Sequence, residues 1–512
     1  MIPDSLIRPT TGEALFMAWL RRNARWQPLM LLALCVAVFW MNLSASGLHS
    51  TEGHRSIPGW EALDTGQWVP TRMFEASYVR KPPGMPWAVA VSSMIFGETE
   101  FAARAVSALA STLMALSAWW FARRWYGDPW GIAAGLAQAL MPVFWSAGRA
   151  AEIEPMLCLG TQLSAFVLID ALTASGPLAA RSRIVLSAGF GAALALALIA
   201  KAHAGLPVIA GVVAAACIVT RSARPLGSRV LWGGSLMAVG LLLPVAIEFW
   251  RAMRAEPTVT EDFAGYLWNW SRVGEWLEMP FKAISTGLPA ILALLFPWGP
   301  DARSEVSSDE DRRCYAITRV VAIGFLAALA VYMLFGVRNE RYAMPALVLL
   351  PPLAAYVARG TASFFTPTRR RFARRFALGS PLGLVVAMVM GAMVYVWIID
   401  PMRDERSARS AADALARALP DNAEVWCNGI INSEPELLWY ARREARAAGK
   451  AIRPIWKHRE VAAFEVPPAG VFLLLNEREW EQYEASSPAA ARLEEIARGV
   501  ADRTPYVLLR GR

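Results

Sequence analysis

The stretch KPPGMPWAVAVSSMIFG, residues 81–97, decides how the rest of the chain is read. Its apolar part, MPWAVAVSSMIFG (85–97), falls short of the roughly 20 residues that a helix needs to cross a bilayer. Two prolines and a glycine precede it, so the backbone at Lys81 is not helical. We read 85–97 as a re-entrant or interfacial helix. A full span there would reverse the sidedness of everything that follows.

The surrounding composition makes sidedness the central question. The chain has 512 residues, of which 55% are hydrophobic and only 18% charged, with a mean hydropathy of +0.34 and 22 tryptophans. That is the composition of a polytopic membrane protein. Runs of about 20 apolar residues lie near 27–46, 101–121, 129–148, 155–173, 184–200, 203–219, 230–250, 281–298, 316–335, 341–358 and 381–400. The first has no small-residue cleavage site and reads as a retained anchor.

Short loops rich in arginine alternate with less basic ones: Arg21, Arg22 and Arg25; Arg123 and Arg124; Arg181 and Arg183; Arg221, Arg224 and Arg229; Arg312 and Arg313; and TRRRFARR at 368–375. The positive-inside rule makes all six cytoplasmic. The N-terminus is then expected in the cytoplasm. The loops 47–100 and 251–280, the turns near 149–154, 201 and 336–341, and the C-terminal tail are expected on the outer face. The net charge of +9 is parcelled among these loops rather than gathered on one face, which argues against nucleic acid as a partner.

Residues 1–400 therefore form the expected membrane module, and 401–512 a small soluble α/β domain outside the membrane. In the tail, AEVWCNG (423–429), GVFLLLN (470–476) and YVLLRG (506–511) read as strands; SEPELLWYARREAR (433–446) and PAAARLEEIAR (488–498) read as helices. The five cysteines form no C-x-x-C pair, and the four dispersed histidines give no metal-ligand spacing, so neither a metal nor another cofactor is indicated.

With this topology, ionisable residues collect where spans meet the outer surface. They are Glu52, His54 and Arg55; Lys81; Arg149, Glu152 and Glu154; Lys201 and His203; and Arg338, Arg341 and Tyr342. Charge near lipid is costly and has a functional or pairing reason. Of 51 basic residues only five are lysines, and the two in the first 280 residues, Lys81 and Lys201, both belong to this set.

These residues resemble the GT-C integral-membrane glycosyltransferases, especially the lipid A aminoarabinose transferases and protein O-mannosyltransferases (glycosyltransferase family 39 type). The resemblance runs through TGQWVPTRMFEASYVRKPPGMPW (65–87), AEIEPML (151–157), ALIAKAHAGLP (197–207), LFPW (295–298) and ERYAMPALVLLPPLAAY (340–356), in that order. It implies about 11–13 transmembrane helices with outer-face juxtamembrane helices, in a bacterial inner membrane with the C-terminal domain in the periplasm. It also implies transfer of a hexose or pentose from a polyprenyl-phosphate donor to a lipid, glycan or protein acceptor.

By the same resemblance Glu52 and Glu154 are the expected catalytic carboxylates. Lys81, Arg55, Lys201, Arg338 and Arg341 are expected on the donor phosphate, and His54, Tyr78, Arg149, Glu152, His203 and Tyr342 on substrate. The family pattern Asp-Glu-x-Arg-Tyr stands here as Thr51, Glu52, Gly53, His54 and Arg55, so its aspartate is absent and Glu52 is the nearest carboxylate. Arg80 replaces the acid before the lysine, and Glu154 stands for the second motif's aspartate. The competing readings are a lipid-linked sugar flippase or transporter, which would need polar residues through the mid-membrane, and a glycan polymerase or ligase.

Cysteine labelling or reporter fusions are expected to place residue 370 in the cytoplasm and residues 60 and 450 outside. Finding 370 and 450 on the same side overturns the eleven-span reading.

Overall fold

The computed structural model describes residues 22–174, 176–255, 273–288, 290–295, 309–334, 340–361, 385–404, 407–457 and 466–511. Arg338, LFPW beyond Leu295 and the basic run 368–375 lie outside these. Most of the described chain up to residue 402 is helical. Among the described residues, six helical stretches are long and apolar enough to cross a membrane: Glu100–Tyr126, Ile153–Leu172, Ala180–Thr220, Arg229–Ala255, Arg312–Leu334 and Val385–Met402.

The other apolar runs fold as shorter or broken pieces. The run 129–148 bends by 62° between Leu140 and Pro142, where proline has no N–H to continue the helix. Residues 184–200 and 203–219 belong to helices Ala180–Lys201 and Leu206–Thr220, interrupted by a 3-10 turn at Ala202–Gly205. The run 341–358 is split into Met344–Leu347 and Leu350–Thr361.

Helix Glu100–Tyr126 shows why such a segment starts and stops where it does. The Thr99 hydroxyl caps it by accepting from the Ala102 N–H, and Glu100 complements the positive end of its dipole. Arg123 and Arg124 complement the other end, and Gly127 at φ 96° ends it. Helix Ile153–Leu172 carries Pro155 in its first turn, where an N–H would have no partner in the helix.

At their far ends these two helices share Asp170, which pairs with Arg124 at 3.2 Å and Arg313 at 3.1 Å. Glu154 begins the second helix and Lys201 ends the next, so the buried acids Glu52, Glu152 and Glu154 gather at the opposite end of the layer.

Between the first two helical runs lies the segment 47–99. It contains helix Gly53–Thr65, a two-stranded hairpin (β1 Thr71–Met73, β2 Ala76–Tyr78) and helix Gly84–Phe96. The last of these is the 85–97 stretch, and at 13 residues it stays short. At Gly84 a Cβ would stand 2.5 Å from the Ile199 carbonyl oxygen, so glycine lets the proline segment carrying Lys81 lie against the helix end that carries Lys201.

After residue 408 a five-stranded sheet forms, in order β4-β3-β5-β7-β6 (β3 Ala423–Cys427, β4 Ile452–Trp456, β5 Val471–Asn476, β6 Leu493–Ala501, β7 Thr504–Gly511). Strands β4, β3 and β5 are parallel, whereas β7 pairs antiparallel with β5 and β6. The stretch 488–498, read as a helix from its composition, is instead a 3-10 turn followed by β6. Pairing with β7 over Leu493–Ala501 overrides the helical propensity of its alanines and glutamates.

One apolar cluster joins this sheet to the segment 47–99. It holds Ile57, Trp60, Phe74 and Met85 together with Leu415, Val425, Leu437 and Trp439. Trp60 stacks on Trp439 with ring centroids 4.3 Å apart, and both are buried. The Gly53 N–H donates to Glu436 Oε1 at 2.7 Å, and the Leu48 N–H to the Tyr440 hydroxyl at 2.7 Å. The C-terminal sheet is therefore packed directly on the segment that carries the candidate site.

Trp60→Ala is expected to cost about 3–5 kcal/mol of stability, as other fully buried aromatic truncations do. It should also expose the 403–422 connection to limited proteolysis. A variant as protease-resistant as the parent would show that this packing does not hold the sheet in place.

Candidate active site

Two buried ion-pair systems frame the site. Arg104, in helix Glu100–Tyr126, donates through Nε to Glu52 Oε1 at 2.8 Å and through Nη2 to Glu52 Oε2 at 2.7 Å. The same guanidinium donates to the carbonyls of Leu43 (2.7 Å), Ser46 (2.8 Å) and Gly47 (2.7 Å). Glu52 accepts two further bonds, from the Ala151 N–H at 2.7 Å and the His49 N–H at 3.0 Å. Burial would raise the Glu52 carboxyl, but Arg104 and His49 outweigh it and hold Glu52 well below the usual carboxylate range.

The expectation that Glu52 is the general base therefore meets a physical obstacle. Both its oxygens are committed, and its proton affinity is very low. The arrangement gives it a different job, as the buried joint between the loop 43–52, helix Glu100–Tyr126 and the turn at 150–152. Arg149, expected on substrate, is likewise committed to framing the fold. Its Nε and Nη2 donate to Asp400 Oδ2 at 2.9 and 2.7 Å, and its Nη1 donates to the Met41 carbonyl at 2.7 Å.

Inside this frame the remaining residues converge. Ser107 pins the backbone of Glu152 from both sides, donating to its carbonyl at 3.0 Å and accepting from its N–H at 3.2 Å. Glu152 Oε1 accepts from the Thr51 hydroxyl at 2.8 Å and pairs with Arg341. Two residues on, Glu154 Oε1 pairs with Lys201 Nζ at 2.6 Å, and Lys201 lies over the Tyr342 ring, 4.1 Å from its centroid.

Arg55 is within electrostatic reach of both Glu152 and Glu154, and its Nη1 is 3.4 Å from the Tyr78 hydroxyl. Tyr78 in turn stacks on His54. Burial, with Arg55 and Arg80 nearby, pushes the His54 imidazole down to about 3, so it is neutral at physiological pH. Its Nε2 faces the Asn432 carbonyl at 3.3 Å.

The structure thus brings together Arg55, Tyr78, Glu152, Glu154, Lys201, Arg341 and Tyr342. Lys81 is partly buried, three residues before the Gly84 that lies against the end of the Lys201 helix. His203 is exposed on the 202–205 turn. Sequence reasoning missed Thr51, Ser107 and Arg104. A neutral hydroxyl carries no charge signal, and Arg104 lies within an otherwise apolar span whose partner is 52 residues away.

Chemically, the site sets three cations and two tyrosines around two carboxylates, each of which keeps one buried oxygen, Oε2, without a hydrogen-bond partner among the described residues. Burial, together with the neighbouring Glu154, raises the Glu152 carboxyl above the usual range despite Arg341 and Arg55. An anionic ligand with a hydroxyl nearby is the natural complement of such a cluster.

Comparison with known proteins gives this geometry a context. The solved structure of ArnT from Cupriavidus metallidurans bound to undecaprenyl phosphate superposes with a TM-score of 0.68, covering 94% of this chain and 97% of that one at 17% identity. Its apo state gives 0.66, at 16% identity. The chain has the GT-C glycosyltransferase fold. It is a polytopic membrane protein.

Residues 80–247 of this GT-C chain match the dolichyl-phosphate-mannose-protein mannosyltransferase family. An undecaprenyl phosphate-alpha-4-amino-4-deoxy-L-arabinose arabinosyl transferase of Pseudomonas fluorescens is 26% identical over 413 residues, 77% of this chain and 66% of that protein. One from Aeromonas salmonicida is 30% identical over 149 residues, 29% of this chain and 27% of that protein. The chain thus spans just under two thirds, or less, of the length of these curated relatives.

Glu52→Gln leaves the Arg104 guanidinium buried opposite a neutral amide, and is expected to destabilise the protein by about 3–5 kcal/mol. Thermal unfolding in detergent should register this as a lower Tm. An unchanged Tm together with lost turnover would return Glu52 to the role of base.

Proposed function

We propose that this protein is a glycosyltransferase that moves a sugar from undecaprenyl phosphate to lipid A at the outer face of the inner membrane, with 4-amino-4-deoxy-arabinose the sugar that its relatives favour. The observation that carries this reading is the convergence of Arg55, Lys201, Arg341 and Tyr342 on the Glu152–Glu154 pair, in a chain folded like a transferase solved with undecaprenyl phosphate. The orientation belongs to the proposal: the arginine-rich ends lie in the cytoplasm, and the carboxylate end with the C-terminal sheet lies in the periplasm.

The chemistry suits the residues. A phosphate oxygen departs near neutral pH without being protonated, so the leaving side of the reaction needs cations rather than an acid. Lys81, Lys201, Arg55 and Arg341 supply compact and forked positive charge for that purpose. The attacking side needs a carboxylate to take the proton of the acceptor hydroxyl. This differs from glycoside hydrolysis, where a second acid must protonate the departing alkoxide. A flippase would have no use for an acid pair gathered with these cations at one end of the spans.

The direct test is to incubate purified protein in detergent or nanodiscs with undecaprenyl-phosphate-linked aminoarabinose and lipid A, and to read the mass of the lipid product. Lys201→Ala is expected to raise the donor KM roughly 10-fold to 100-fold, since it removes a charge-assisted contact to phosphate. A wild-type protein that transfers no sugar to lipid A from this donor, or a Lys201→Ala variant with unchanged donor KM, would overturn the respective claim.

A further inference from the structure

We infer that the proton-accepting group of the transfer reaction is Glu152 Oε2, and that the Thr51 hydroxyl is its positioning residue. The inference rests on the glycosyltransferase reading above and deepens it. Thr51 stands where the resembling family has an aspartate, so the loop itself offers no carboxylate at that point. The hydroxyl instead reaches across to Glu152 and donates to Oε1 at 2.8 Å.

Three observations separate Glu152 from the other acids. Glu52 has both oxygens committed to Arg104, His49 and the Ala151 N–H. Glu154 is ionised and has its charge balanced by direct contact with Lys201 at 2.6 Å. Where two carboxylates share a site, the better-paired one stays charged and its neighbour keeps the higher proton affinity. Glu152 is that neighbour. Its backbone is clamped by Ser107, its Oε1 is fixed by Thr51 and Arg341, and its buried Oε2 has no hydrogen-bond partner among the described residues.

A carboxylate held by one oxygen presents the other in a fixed direction, which is the requirement for a base acting in a single orientation. The acceptor oxygen forms the new bond to the anomeric carbon while the anomeric carbon–phosphate oxygen bond breaks. The bonding pair leaves on undecaprenyl phosphate, the acceptor proton passes to Glu152 Oε2, and solvent takes it up after product release. Thr51 stays out of covalent chemistry. Its O–H bond favours the ionised carboxylate and fixes its rotamer.

The test measures kcat, undecaprenyl phosphate binding and the pH profile for Glu152→Gln, Glu154→Gln, Thr51→Val and Thr51→Ser, each checked for folding by thermal unfolding. Glu152→Gln is expected to lower kcat about 10²-fold to 10⁴-fold while undecaprenyl phosphate binding changes by less than about threefold. Thr51→Val keeps the shape and loses the donor. It should lower kcat roughly 10-fold and move the acidic limb of the pH profile up by about one unit, and Thr51→Ser should restore both.

A folded Glu152→Gln variant with more than a tenth of wild-type turnover overturns the assignment of the base, and all the more so if Glu154→Gln is inactive. A Thr51→Val profile with its acidic limb unmoved overturns the positioning role. Should Glu152→Gln fail to fold, Glu152→Asp decides the base, because a retracted carboxylate should lose turnover yet retain the acidic limb. Retained wild-type turnover in Glu152→Asp would contradict the fixed geometry. These outcomes are read only against an active wild type, so an inactive wild type counts against the glycosyltransferase reading instead.

Discussion

The buried pair between Arg104 and Glu52 is the contact on which the site depends. A guanidinium that is nearly inaccessible to solvent must find partners for its donors, and this one finds a carboxylate and three loop carbonyls. The loop 43–52 is thereby wrapped around one side chain of a membrane helix. Glu52 then spends an oxygen lone pair on the Ala151 N–H, which fixes the turn that presents Glu152 and Glu154. Breaking either partner strands a charge in a low-dielectric setting, so the loop, the helix and the turn hold their places together.

The two candidate carboxylates gain their properties from that rigidity. Glu152 and Glu154 are neighbours of like charge, and only unequal partners can give them different roles. Lys201 meets one directly. A hydroxyl and a partly exposed arginine meet the other. The same acids on a mobile loop would titrate as ordinary solvated carboxylates.

The C-terminal sheet takes part in this through apolar packing rather than chemistry. Trp60 on Trp439 and the Gly53 contact to Glu436 press helix Gly53–Thr65 against it. At Gly53 a Cβ would stand 2.7 Å from the Glu436 carboxyl, so the absence of a side chain sets the closeness of the two surfaces. The sheet therefore braces from outside the same loop that Arg104 braces from within.

The sequence by itself determined the membrane class, the short helix at 85–97, the glycosyltransferase resemblance and the strands at 423–427, 471–476 and 504–511. Hydropathy, length and alternation are local quantities that a linear chain displays directly. It also placed Arg55, Glu152, Glu154, Lys201, Arg341 and Tyr342 at span boundaries. Only the tertiary structure decided how they are used. It turned the helix-like 488–498 into β6 through pairing with β7, and it gave Glu52 to Arg104 and Arg149 to Asp400. It also brought Thr51 to Glu152, 101 residues along the chain. Which oxygen is occupied and which is open depends on distances of under 3 Å between residues far apart in sequence, and no local pattern of residues encodes such a distance.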